Sequence, residues 1–127
     1  MCADRRKSAY HHGDLRSALI EEALDMLAEA GTEQLTLRKV AQRLGVSHAA
    51  PYRHFADKAA LLAAIVARGF QDLERHIDAA LAQADDPLGK LRCLPPAYVA
   101  WATGHRQLFH LMFGPEVVKA DHPEADA

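Results

Sequence analysis

Arg38, Lys39, Arg43, Arg53 and Lys58 fall in one stretch of chain, Thr36 to Lys58, in which Asp57 is the single acid. The same stretch holds Thr36, Ser47, His48, Tyr52 and His54, so it is rich in hydrogen-bonding side chains as well as cations. Residues of these types, so grouped, suit non-covalent chemistry: charge-assisted contact with phosphate oxygens at one face of a small domain. A charge run alone is more often a solvated surface, so the elements that carry these side chains must decide between the two readings. Bulk attraction is not the explanation, because the chain of 127 residues has a net charge of −2 and Glu21 to Glu33 contains five acids and no base. The positive charge is focused.

The stretch reads TLRKVAQRLGVSHAAPYRHFADK, and its parts are coupled. Leu37, Val40, Ala41 and Leu44 follow the three-and-four spacing of an amphipathic helix that Thr36 can cap. Gly45 stands where the chain must reverse, and Ser47 is placed to cap a short helix after it. Asp57 then opens a further helix. Helix, tight turn, short helix is the layout of a helix-turn-helix, which sets its second helix in a DNA major groove. Pro51 complicates the short helix: with Ser47 as cap it removes the first intrahelical hydrogen bond, so an irregular first turn is expected.

The remaining chain is helical in pattern, and the fold class expected is all-α. Leu15, Ala18, Leu19, Ala23, Met26, Leu27 and Ala30 form one apolar stripe from Asp14 to a stop at Gly31. Leu61, Leu62, Ile65, Val66, Phe70, Leu73, Ile77 and Leu81 give a long fourth helix over 57–82, which DDPLG breaks. Helical patterns resume from Leu88 to Thr103 and in HRQLFHLMF up to Gly114 and Pro115, with Pro95 and Pro96 expected to kink or split the first of them near Leu94. The organisation is thus an arm at 1–13, a helix-turn-helix domain at 14–58, a linker helix at 57–82, and the start of a C-terminal helical domain at 87–127. Arg5, Arg6 and Lys7 either reach a partner or fray, and the tail from Glu116 has little to bury.

Several function classes find no support. No apolar run approaches the roughly 18 residues of a membrane span, and MCADRRKSAY lacks the apolar centre of a secretory signal, so the cytoplasm is the expected compartment. Cys2 and Cys93 have neither metal spacing nor a disulfide framework. The histidines do not combine with a carboxylate at ligand spacing, so no metal site and no cofactor are expected. With no nucleophile elbow, phosphate loop or dinucleotide fingerprint, no catalytic residues can be named and an enzyme is not expected.

The first 70 or so residues resemble the DNA-binding domain of the tetracycline-repressor (TetR) family of bacterial transcriptional regulators. The resemblance rests on Leu35-Thr36-Leu37-Arg38-Lys39-Val40-Ala41, Leu44-Gly45-Val46-Ser47, Tyr52-Arg53-His54-Phe55, and Asp57-Lys58 followed by Leu61-Leu62. YHHGDLR at Tyr10 to Arg16, APYRHF at Ala50 to Phe55 and LFHLMFG at Leu108 to Gly114 resemble a narrower subgroup.

The resemblance implies a three-helix helix-turn-helix domain joined by the long fourth helix to an incomplete helical ligand-binding and dimerisation domain. It implies that His48, Ala49 and Arg53, with Arg38, reach base edges. Tyr52, His54 and Lys58 would grip the phosphate backbone, and Thr36 and Ser47 would offer helix N-termini to phosphate. It further implies a small-molecule effector, for which Tyr98, Trp101, Phe109, Met112 and Phe113 are candidate contacts or, on the duller reading, bundle core. The partners expected are double-stranded operator DNA, that effector, and a second copy where the full-length chain is present. The chain is shorter than family members usually are, so exposed apolar surface is expected in the second domain. The functional expectation is a sequence-specific, ligand-released repressor; the alternative is a helical ligand- or protein-interaction module with a structural-only helix-turn-helix.

Overall fold

The computed structural model describes residues 14–114. The N-terminal arm, Cys2, His11, His12, the first part of YHHGDLR, and the tail from Pro115 lie outside the described residues. Among the described residues all regular structure is helical: α1 (Leu15–Ala30), α2 (Leu37–Leu44), a 3₁₀ turn η1 (Ala50–Arg53), α3 (Lys58–Leu81), α4 (Pro87–Gly104) and α5 (Arg106–Met112). The chain divides into two compact units between Ile65 and Val66, a boundary that falls within α3.

In the first unit, Leu19, Ile20, Ala23, Met26 and Leu27 of α1 meet the requirement of burial at helical spacing, and α1 ends as Gly31 donates its N–H to the Leu27 carbonyl at 2.9 Å. Leu35, Leu37, Val40, Ala41 and Leu44 are buried on α2 and its entry, and Leu61 and Ile65 from α3 are fully buried as well. Each of the larger aliphatic side chains among these stabilises the fold by about 2 kcal/mol relative to exposure.

The ends of α2 are both closed. Thr36 Oγ1 accepts from the Lys39 N–H at 3.1 Å, which is the cap the sequence implied. At the other end, Gly45 adopts φ 76° and ψ 26°, its N–H reaches the Gln42 carbonyl at 3.2 Å, and the Val46 N–H reaches that of Ala41 at 3.0 Å. This pair of bonds is a Schellman motif, and its left-handed residue is the reason a glycine stands there.

The short helix differs from the expectation. It is not an α-helix with an irregular first turn but a 3₁₀ turn, with Tyr52 N–H to Ala49 carbonyl at 3.2 Å and His54 N–H to Pro51 carbonyl at 3.0 Å; that last carbonyl also accepts an α-type bond from Phe55 N–H at 2.9 Å. Pro51 has no N–H to give to an α-type bond, and the tighter i to i+3 pattern accommodates that loss. Ser47 does not cap the turn with its side chain: Ala49 holds the cap position, and Ser47 contributes its carbonyl to the Ala50 N–H at 3.1 Å.

In the second unit, Trp101, Leu108, Leu111 and Met112 are buried. Gly69 makes the close approach of α5 possible, since a Cβ there would lie 2.6 Å from Met112 Sδ and 3.1 Å from a Leu108 methyl. The α4 helix is not split at Pro95 and Pro96 but runs unbroken through them. The carbonyls deprived of an N–H partner belong to Leu91 and Arg92, which lie in an exposed stretch where water can serve them. Leu88, Leu91 and Val99 are exposed along the same helix.

Substituting Gly45→Ala places a Cβ in left-handed backbone and is expected to lower stability by about 1 kcal/mol, read as a lower urea midpoint with unchanged slope.

Candidate nucleic-acid interface

Two buried residues hold the surface that carries the candidate side chains. Pro51 within η1 and Phe55 just after it are sunk into the first unit, and between them Tyr52, Arg53 and His54 are exposed, Tyr52 by 57%. Apolar anchoring on the inner side thus presents three polar side chains on the outer one. The Phe55 ring is further covered by the Arg16 guanidinium of α1, 5.4 Å from its centroid. His48 and Ala49 are exposed on the approach to the turn, as are Ser47 before them and Arg38 in the first turn of α2. Thr36 is half-buried, its hydroxyl engaged by the helix it caps.

The cations sort into two groups that the sequence did not separate. Arg38 and Arg53 are exposed at the helix start and on the turn. Lys39 is exposed but bonds Gln34 Oε1 at 2.8 Å. Arg43 and Lys58 are committed to the fold. Lys58 Nζ donates to the Thr32 carbonyl at 2.7 Å, tying the start of α3 to the loop between α1 and α2. Arg43 reaches back to α1, with Nε 2.8 Å from Glu22 Oε1, Nη1 2.7 Å from Glu29 Oε2, and Nη2 3.1 Å from Glu29 Oε1. The hydrogen bond to Glu29 raises the guanidinium pKa above its already high ordinary value, and the Glu22 and Glu29 charges act in the same direction against desolvation. Arg43 therefore leaves the free positive patch to which its charge had assigned it.

Glu22 is the residue that pattern reasoning missed. It is 3% exposed, on the buried side of α1. Its signal was present: Leu19, Glu22, Met26 and Glu29 keep three-and-four spacing, so a carboxylate on the buried stripe called for a cation from a neighbouring helix.

The five candidate effector contacts occupy different environments within the second unit. Trp101 and Met112 are buried; Tyr98 and Phe109 are half-buried and pack edge to face at 5.8 Å; Phe113 is exposed and packs on Phe109 at 4.8 Å and on Phe70 at 5.4 Å. The Trp101 indole N–H donates to Asp72 Oδ2 at 3.1 Å, and the His105 ring stacks on the indole at 4.4 Å. Among the described residues no helix is long and apolar enough to cross a membrane.

Residues 19–65, the segment that contains this surface, match the family described as bacterial regulatory proteins, tetR family. The chain belongs to that family. It is 37% identical over 95 residues to the tetracycline repressor protein class A from transposon 1721 of Escherichia coli, a match covering 71% of this chain and 43% of the relative. It is 31% identical over 100 residues to the nucleoid occlusion factor SlmA of Vibrio vulnificus, covering 78% and 51%. Among solved structures, a protein of unknown function from Rhodococcus sp. RHA1 aligns with a TM-score of 0.74 at 38% identity, over 93% of this chain and 66% of the other. TetR from Acinetobacter baumannii aligns with a TM-score of 0.61 at 26% identity, over 81% and 50%. The chain spans about half the length of the curated relatives it matches.

The division among the cations has a measurable consequence. Lys58→Ala breaks a part-buried, charge-assisted bond and is expected to cost about 1 kcal/mol, whereas Tyr52→Ala at an exposed site is expected to stay within about 0.5 kcal/mol of the parent in urea unfolding.

Proposed function

We propose that the first unit is a sequence-specific reader of double-stranded DNA and that the chain acts as a transcriptional regulator, a repressor released by a small molecule. The observation that carries this reading is the η1 surface: Pro51 and Phe55 are buried while Tyr52, Arg53 and His54 are exposed, directly after a left-handed glycine turn. A short, outward-facing turn held from beneath by buried Pro51 and Phe55, following an amphipathic helix, is a shape a major groove accepts. Arg53, His48 and Arg38 supply donors suited to base edges, and Ala49 a methyl-sized contact for thymine. Tyr52, His54 and the capped start of α2 suit phosphate oxygens, which fix register without choosing sequence. Lys58 joins this set with its ammonium already bonded to Thr32, and so supplies field more than a new bond.

Release by an effector rests on the relatives rather than on this surface: several carry the name tetracycline repressor. In such a switch the ligand favours one of two arrangements of the DNA-reading unit, by as much as its affinities for the two differ. The aromatic group of Tyr98, Phe109 and Phe113 is where a flat, apolar effector would find partners, while buried Trp101 and Met112 hold the helices around it.

Selection of bound duplexes from a random pool tests the reading. Binding is expected to weaken steeply with salt, and Tyr52→Ala is expected to reduce affinity for all duplexes alike. Arg38→Ala and Arg53→Ala are instead expected to relax base preference, at a cost of roughly 1–3 kcal/mol per contact. Enrichment of no sequence, or affinities indifferent to all three substitutions, would favour a protein-interaction module whose helix-turn-helix is structural only.

A further inference from the structure

We propose that Arg43 is a positioning residue for DNA reading, acting by locking the C-terminal end of α2 to α1 and not by touching DNA; the inference rests on the DNA-reading function proposed above. The α2 helix has only eight residues, and Arg43 lies in its last turn. Its guanidinium spends all three nitrogens on α1: Nε on the buried Glu22, and the terminal pair as a fork on Glu29. Glu22 and Glu29 are seven residues apart, two helical turns, so they share a face and one planar cation can bridge both. A lysine has three donors but no planar fork, so it cannot reproduce the bidentate grip on Glu29 together with the contact to Glu22 in this geometry.

The position of this clamp in the chain gives it consequence. Two residues after Arg43 the chain turns at Gly45, and the recognition surface follows from Ser47 to His54. The η1 turn has no side-chain cap and few hydrogen bonds of its own, so its direction depends on where α2 ends and on the burial of Pro51 and Phe55. A shift of α2 on α1 is therefore passed through the rigid Gly45 turn to Arg53 and His48, whose base contacts demand fixed geometry. Arg43 is also a poor phosphate ligand as it stands, because two carboxylates surround it.

The test uses the full chain and a duplex that the parent protein has itself selected from a random pool, with Arg43→Ala, Arg43→Lys and Glu29→Gln as variants. Glu29 is exposed, so Glu29→Gln keeps a folded probe of the clamp where Arg43→Ala unfolds. Affinity is measured at a low temperature at which circular dichroism shows the variants folded, for the selected duplex and an unrelated one across a salt series. Positioning predicts that Arg43→Ala loses about tenfold or more for the selected duplex with little change for the unrelated one, and that Glu29→Gln loses less in the same sense. Arg43→Lys is expected to recover only part of the loss. The slope of log affinity against log salt stays at the parent value in every variant. A slope reduced by roughly one in Arg43→Ala would make Arg43 a phosphate contact and overturn the proposal, as would parental affinity and discrimination in the folded variants. If the parent selects no duplex, the DNA-reading function itself falls and the clamp's role with it, an outcome distinct from either of these.

Discussion

The proposed recognition surface depends on one constraint: a four-residue 3₁₀ turn cannot hold its own direction and must be held from underneath. Its i to i+3 bonds fix local shape only, and helix nucleation leaves such short pieces unstable when isolated. Burial supplies what the turn lacks. Pro51 and Phe55 sink into the first unit, Arg16 covers the Phe55 ring, and the Schellman closure at Gly45 fixes the entry. Pro51, which removes a hydrogen bond from an α-helix, is in this setting an apolar anchor whose missing N–H costs nothing to a 3₁₀ turn that does not use it.

The second organising feature is the division of labour among like charges. Counting cations between Thr36 and Lys58 treats them as equivalent, but their surroundings separate them. Arg43 spends its charge on Glu22 and Glu29, and Lys58 spends a donor on the Thr32 carbonyl. Arg38 and Arg53 remain at the exposed ends of α2 and η1. Only Glu22 of this cluster is buried, and its desolvation offsets much of its attraction to the partly exposed Arg43; the value of the contact on the present proposal is in specifying one arrangement. That is the property a DNA reader needs from the contact between α1 and α2.

Much of this was legible in the sequence, for physical reasons that differ by element. The start of α2 and its end were readable because caps and left-handed glycines are local chemistry, set by Thr36 and Gly45 themselves. The 3₁₀ form of η1 was only half readable: Pro51 announced a defect, but whether the turn distorts or changes type depends on what receives the proline ring. The Glu22 to Arg43 pairing was missed because it joins residues 21 positions apart on different helices, and charge counting along the chain carries no information about such contacts. That α4 is not split was not legible because a proline pair breaks a helix where freed carbonyls are buried, and the sequence does not say that Leu91 and Arg92 face water.

The central claim is that the surface from Ser47 to His54, with the start of α2, is what meets DNA. The most direct measurement is an amide chemical-shift titration of the isotopically labelled full chain with a duplex it has selected. The account predicts that the largest perturbations fall at 36–39 and 47–54, the latter range interrupted only at Pro51, which has no amide proton. Perturbations concentrated instead along the exposed side of α4, around Leu88, Leu91 and Val99, with 47–54 unmoved, would contradict it.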